Sequence, residues 1–195
     1  MNIIETLAKE FGLRIEQVER TVALIDEGNT IPFIARYRKE VTGSLDDTTL
    51  RDLDDKLTYL RNIEKRKQEV KELIAAQEKL TPEIEAAIYA ALTITEVDDI
   101  YRPFRPKGKT RASVAREKGL EPLAVLIMEQ RDCYEPTIEE EAEKYIDEEK
   151  GVQSAEDAIN GAKDIIAEEV SDNAEYRKTV RSLTFGNGLL ISKAA

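Results

Sequence analysis

The sequence predicts an all-α protein, on three observations. Apolar residues recur three and four positions apart along most of its length, the spacing that lines one face of a helix. Helix formers dominate a composition with only nine glycines and six prolines in 195 residues. Ser, Thr, Asp or Asn stands repeatedly just before such a stretch, where a side-chain oxygen caps the first turn.

Ile3, Ile4, Leu7 and Phe11 share one side of a first helix. Ile15, Val18, Val22 and Ile25 form the face of a second, which stops at Gly28. In "NTIPFIARYRKEVTGSLDD", Asn29 or Thr30 caps a short helix, Pro32 sits in its first turn where a missing N–H costs nothing, and Gly43 ends it. A long helix is expected from Asp47 to Lys79, roughly 48 Å at the standard rise. Leu50, Leu53, Leu57, Leu60 and Ile63 form its first stripe, and Val70, Leu73, Ile74 and Leu80 a second. Between them "EKRKQE", Glu64 to Glu69, is wholly polar. The middle is therefore expected to stand in solvent, with each end packed on a separate cluster.

Thr81-Pro82-Glu83 starts the next helix, with Ile84, Ile88 and Leu92 as its buried face. Thr95 with Asp98 starts a short helix reaching Tyr101, after which Pro103, Pro106 and Gly108 interrupt. Helix resumes near Ser113, stops at Gly119 and resumes near Glu121, where "LAVLIMEQ" is apolar on nearly all sides and predicts a buried, central element. Thr137 with Glu140, and Ser154 with Asp157, have the spacing of capping boxes. Ala155, Ala158, Ile159, Ala162, Ile165, Ile166 and Val170 then make a clean stripe. Tyr176, Val180 and Leu183 begin a last helix, followed by an Asn187-Gly188 turn and the strand-like "LLIS". A lone strand leaves its backbone unsatisfied, so the sequence reads as cut from something longer. The expected organisation is a helical subdomain over 1–62, a second, helix-turn-helix-like one over 63–185, and a lead-in to a following domain over 186–195.

Composition removes several function classes. Cys133 is the single cysteine, so no disulfide closes within the chain, and a reduced, cytoplasmic setting is expected. The first residues lack the basic and apolar regions of a signal peptide, and no run approaches a membrane span. There is no histidine, the commonest general base and metal ligand. Usual zinc and non-haem iron sites therefore cannot be built, and no cofactor or metal is expected.

Candidate chemistry is sparse. "PKGKT" resembles the end of a phosphate-binding loop, but the first glycine of that pattern falls on Pro103, which has no N–H to offer. The acidic run "TIEEEAEKYIDEEKG" lacks the alternating oxygens of a calcium loop and reads as the solvated face of a helix marked by Ile138, Ala142, Tyr145 and Ile146. Of the paired carboxylates, Asp46, Asp47 and Asp98 read as helix-start residues. Cys133 has no base beside it. No enzyme is expected.

The most distinctive segment is "YRPFRPKGKTRASVAREKG", residues 101–119, with seven Lys or Arg against one acid in a chain of net charge -11. Arg102, Arg105, Lys107, Lys109, Arg111, Arg116 and Lys118 are candidates for phosphate contact, with Tyr101 and Phe104 interleaved as in single-strand stacking surfaces. The alternative is that both rings pack inward and the cations pair with acids of their own domain. Arg36, Arg38 and Lys39 form a second, smaller basic cluster.

"TIPFIARYRKEVTGSLDD" and "YRPFRPKGKTRASVAREKGLEPLA" together resemble the signature segments of the Tex family of bacterial transcription accessory proteins. The first matches through Ile31 to Arg38, the second through Tyr101, Pro103, Phe104, Pro106, Lys107, Thr110, Arg111 and Ala112. The resemblance implies a cytoplasmic, multi-domain, nucleic-acid-binding protein of transcription or RNA metabolism. It also implies a helical N-terminal part with a helix-turn-helix-like region, followed by a nuclease-fold domain, helix-hairpin-helix elements and an OB-fold RNA-binding domain. No catalytic residue is implied for either segment. The expected function is a non-catalytic helical platform whose nine candidate cations, Arg36, Arg38 and the seven of residues 101–119, touch RNA or DNA phosphates. Its expected partners are nucleic acid, the remaining domains of a longer chain and the transcription machinery. The rival is a protein–protein or interdomain docking scaffold, in which Arg102 and Arg105 would be buried against carboxylates.

Overall fold

A computed structural model describes residues 2–130 and 136–193, so Cys133 lies outside the described residues. Among these residues there are twelve α-helices and no strand, with one isolated bridge between Asp147 and Val152. The all-α class is observed. The chain divides into two compact units, Met1–Asp98 and Asp99–Ala195, rather than at 62/63.

In the first unit, α1 (Ile3–Phe11) is capped by Asn2, whose side chain accepts from the Glu5 N–H. The side chain of Asn29 donates to the Leu24 carbonyl at 2.8 Å, so it closes α2 (Ile15–Asp26) instead of opening the next helix. The expected single short helix is two pieces, α3 (Ile31–Tyr37) and α4 (Lys39–Thr42), because the Arg38 backbone leaves the helical region at φ -130°, ψ 28°. Gly43 ends α4 with φ +67°. A Cβ there would lie 2.7 Å from Nε2 of Gln17, the group that donates to the Thr42 carbonyl and ties α2 to α4. Glycine is therefore favoured for the left-handed backbone, and a side chain there would also push the Gln17 amide off its tie.

Helix α5 (Asp47–Ala75) starts at Asp46, which accepts from the Thr49 N–H at 2.7 Å. Its Leu53, Leu57, Leu60 and Ile63 pack with Leu7, Val18 and Val22, while Leu50 joins Leu24 and Ile34. The polar run Glu64 to Glu69 stands in solvent only in part, with Lys65 and Gln68 exposed. Lys67 is only 3% exposed, and its ammonium donates to Glu64 and to the Tyr89 carbonyl, both at 3.0 Å. That carbonyl is in the last turn of α6 (Pro82–Ala90), where helices leave acceptors without intrahelical partners. The sequence reading missed this because a lysine that caps a neighbouring helix looks like a solvated one. The whole long helix thus belongs to the first unit, where Val70 and Ile74 are fully buried.

Helix α5 stops at Ala75 and not Lys79, through a turn in which Glu78 takes φ +57°. No glycine marks that stop. Thr81 caps α6 as expected, but Leu92 and Leu73, assigned to apolar faces, are exposed. Thr93, not Thr95, caps α7 (Ile94–Tyr101) by accepting from the Glu96 N–H at 3.1 Å. Asp98 lies within α7 and accepts from Arg66 at 2.9 Å, so it is an ion-pair partner and not a helix-start residue.

The second unit holds α8 (Arg111–Glu117), α9 (Glu121–Met128), α10 (Ile138–Ala142), α11 (Ala155–Asp172) and α12 (Ala174–Asn187). Helix α11 is its centre: Ala158, Ala162 and Ile165 are fully buried against Ala112, Ala115, Leu120 and Leu123. Helix α9 is buried on one side only, with Val125 exposed. Thr137 and Glu140 make the reciprocal capping box, whereas the Asp157 carboxylate accepts from Gln153 and leaves the second box half formed. Helix α12 runs through to Asn187, and residues 188–193 form no strand. Its Tyr176, Val180 and Leu183 are exposed, as is Phe185 at 95%. With Val170 of α11, Tyr176, Val180 and Phe185 line an open apolar groove of about 750 Å³. No helix among the described residues is long and apolar enough to cross a membrane.

Candidate nucleic-acid interface

The basic segment begins where α7 ends. Tyr101 is buried, a 3₁₀ turn covers Arg102–Phe104, and an exposed loop then runs from Arg105 to Lys109. Thr110 closes the loop by accepting from the Ser113 N–H, while Ser113 accepts from the Thr110 N–H. Helix α8 lies on α11 through Ala112 and Ala115, whose small side chains allow close approach.

That approach brings the cations to a ladder of carboxylates. Asp164, Glu168 and Asp172 stand four residues apart on α11, so they share one side of the helix. Arg102 donates to Asp172 at 2.7 Å. Lys107 donates to Asp172 and lies 3.2 Å from Glu168. Arg116 donates to Glu168 at 2.6 Å, and the Thr110 hydroxyl donates to the same carboxylate at 3.1 Å. The Glu168 and Asp172 side chains are mostly buried. Burial alone would push both carboxyls up. The hydrogen bonds from Arg116, Lys107 and Thr110 to Glu168, and from Lys107 and Arg102 to Asp172, outweigh it and hold both below the usual carboxylate range. A second clasp lies in the last turn of α7: Asp99 is 5% exposed and accepts from Arg177 at 2.6 Å and from Arg181.

The seven cations are therefore not one open ridge. Arg102, Lys107 and Arg116 are matched by acids of their own unit. Lys118 donates to the Gly151 carbonyl at 2.7 Å, and Arg105 lies over the Tyr101 ring, its guanidinium carbon 5.6 Å from the centroid. Arg111 is 89% exposed with Asp164 only at 3.6 Å. Lys109 is exposed and, among the described residues, has no carboxylate within ion-pair distance. Sequence reading missed Asp164, Glu168, Asp172 and Asp99. The signal of the first three was a four-residue acidic spacing along the edge of the α11 stripe, legible only once α8 is known to pack there, while Asp99 on α7 carried none.

In the first unit Arg36 is exposed and Arg38 half-buried. The Arg36 guanidinium lies 6.0 Å from the Tyr37 ring centroid and that of Arg38 5.2 Å from the Phe33 centroid. The Arg38 guanidinium also donates to the Tyr37 carbonyl at 3.2 Å. Among the described residues, no three His, Cys, Asp or Glu gather as a metal site.

Fold and site together define a class of protein: a two-unit helical module that displays a short basic loop on a base clamped by buried ion pairs. Residues 1–75 match the Tex-like protein N-terminal domain and residues 135–195 the Tex central region-like family, together well over half of the chain. Protein tex of Bordetella pertussis is 45% identical over 98% of this chain. Transcriptional accessory protein Tex of Neisseria gonorrhoeae is 42% identical over 93% of it. S1 RNA-binding domain-containing protein 1 of Pongo abelii is 28% identical over 93% of it. The chain belongs to the Tex family. It spans about a quarter of the length of the bacterial relatives (24% and 23%) and 18% of the primate one.

Proposed function

We propose that the chain is a non-catalytic helical platform of a cytoplasmic transcription accessory protein, and that it adds phosphate contacts to that protein's binding of RNA or DNA. The observation that carries this is the loop before α8. Lys107 is tied down to Glu168 and Asp172, while Lys109 and Arg111, two and four residues on, are exposed and weakly compensated or uncompensated. Cations on a clamped loop lose little freedom on meeting a phosphate, and such contacts position a strand without reading its sequence. The acidic remainder of the chain repels polyanions and favours contact at its basic patches. The printed names of the relatives, a transcriptional accessory protein and an S1 RNA-binding domain protein, support this class of partner. We read α8, the turn at Gly119 and α9 as the helix-turn-helix-like part, since two short helices meet there across a glycine turn.

The test is a salt titration of the chain's binding to labelled single-stranded and duplex oligonucleotides. The two contacts of Lys109 and Arg111 should contribute about -1.4 to the slope of log affinity against log salt on a single strand. Lys109→Glu with Arg111→Glu should weaken binding to both probes and flatten the salt dependence by that amount. Unchanged affinity in that double variant would overturn the assignment and leave a docking scaffold.

A further inference from the structure

Three exposed tyrosines of the first unit carry a cation over the ring: Tyr59 with Lys56, Tyr89 with Lys71 and Tyr37 with Arg36. Two of the three are structural. Lys56 is paired with Glu10 at 2.7 Å, and Lys71 with Glu85 at 2.5 Å and with the Tyr89 hydroxyl at 3.0 Å. The third differs. Among the described residues neither Arg36 nor Arg38 has a carboxylate within ion-pair distance, in a chain with 40 acids against 29 bases. The Tyr37 ring is 57% exposed. It is nonetheless held in place, tilted at 47° against Phe33 with centroids 5.3 Å apart.

The backbone builds this arrangement. Helix α3 breaks at Arg38, which carries neither the ring nor the freedom of Pro or Gly, and the break lets Arg38 return over Phe33. The Gln17 tie to Thr42 fixes α4 immediately beyond. The result is an open aromatic ring between two arginines held by π faces and not by acids, with the exposed Lys39 next in sequence. Arg36 so placed keeps its donors for an incoming anion, Arg38 keeps those not given to the Tyr37 carbonyl, and an anchored, open ring offers an unpaired base a surface.

We propose that Tyr37 is a stacking platform for one unpaired nucleobase, with Arg36, Arg38 and Lys39 receiving the flanking phosphates. The inference rests on the nucleic-acid reading above and sharpens it to single strands, because paired bases in a duplex present no free face. The test uses the whole chain with a fluorescein-labelled 12-residue oligothymidylate and a hairpin duplex of equal length. Tyr37→Ala should weaken single-strand binding about tenfold or more, with an unchanged salt slope since no charge is removed. Tyr37→Phe should stay within about twofold of the parent, as should duplex binding by either variant. The exposed ring makes these variants safe for the fold, which circular dichroism melting checks. If the parent binds single strands and Tyr37→Ala binds them equally well, the platform is wrong while the phosphate reading stands. If the parent binds neither probe, both fall together.

Discussion

Arg116 Nη1 lies 2.6 Å from Glu168 Oε2, and the same buried carboxylate also accepts from Thr110 and faces Lys107. One side chain of α11 thus holds the start of α8, its last turn and the loop before it. Glu168→Gln keeps the shape and removes the charge. The variant should lose about 1–3 kcal/mol, read from urea unfolding followed by circular dichroism. It also releases Lys107 in part. Oligonucleotide affinity should therefore rise a fewfold while stability falls, a pairing of signs that general damage to the fold would not produce.

Acid should weaken the second unit. The folded-state values of Glu168, Asp172 and Asp99 are all depressed, against the pull of burial, by their arginine and lysine donors. Their stabilisation is full above the ordinary carboxylate values and is lost as pH falls through the depressed ones, so the window opens below about pH 4.5. Thermal melts between pH 7 and 3 should show a steep decline in that window. Asp172→Asn should flatten it at the cost of stability at neutral pH.

Lys67 tests the buried cap of α6. Lys67→Met fills much of the same space but leaves the Tyr89 carbonyl without its donor, and should cost about 1–2 kcal/mol. Lys67→Ala should cost roughly 1 kcal/mol more for the emptied volume. Equal stability of parent and Met variant in urea titrations would show that the carbonyl needs no partner.

Gly161 sits mid-helix in α11, where alanine would ordinarily add helix propensity. Here an added Cβ would stand 2.4 Å from Leu120 Cδ1 and 3.4 Å from the Ala115 Cβ, and Leu120 is 1% exposed. Gly161→Ala should destabilise by about 1–3 kcal/mol through overpacking. Pairing it with Leu120→Val should recover part of the loss, measured as a double-mutant cycle.

Most helices were legible because one apolar stripe per helix decides where it packs: Leu53, Leu57, Leu60 and Ile63 on α5, and Ala158, Ala162 and Ile165 on α11. Caps with a side-chain acceptor, Asp46, Thr81 and Thr137, were legible for the same local reason. What escaped was non-local. Lys67 is polar in sequence and buried in space because the chain folds back to offer it a carbonyl. The stop after Ala75 relies on Glu78 in a conformation usually left to glycine. The site followed the same rule: its cations stood out as a run, but which of them are neutralised was decided by acids 52 to 70 residues away in sequence.

The bare face of α12 has a practical corollary. Phe185 and its groove neighbours offer water an oily trough on the exposed side of α12. An environment-sensitive dye such as anilinonaphthalene sulfonate should light up there in the native state at room temperature. A fluorescence screen would then score a folded protein as half-molten, and calorimetry or circular dichroism, which ignore that trough, should still show cooperative unfolding for the same sample.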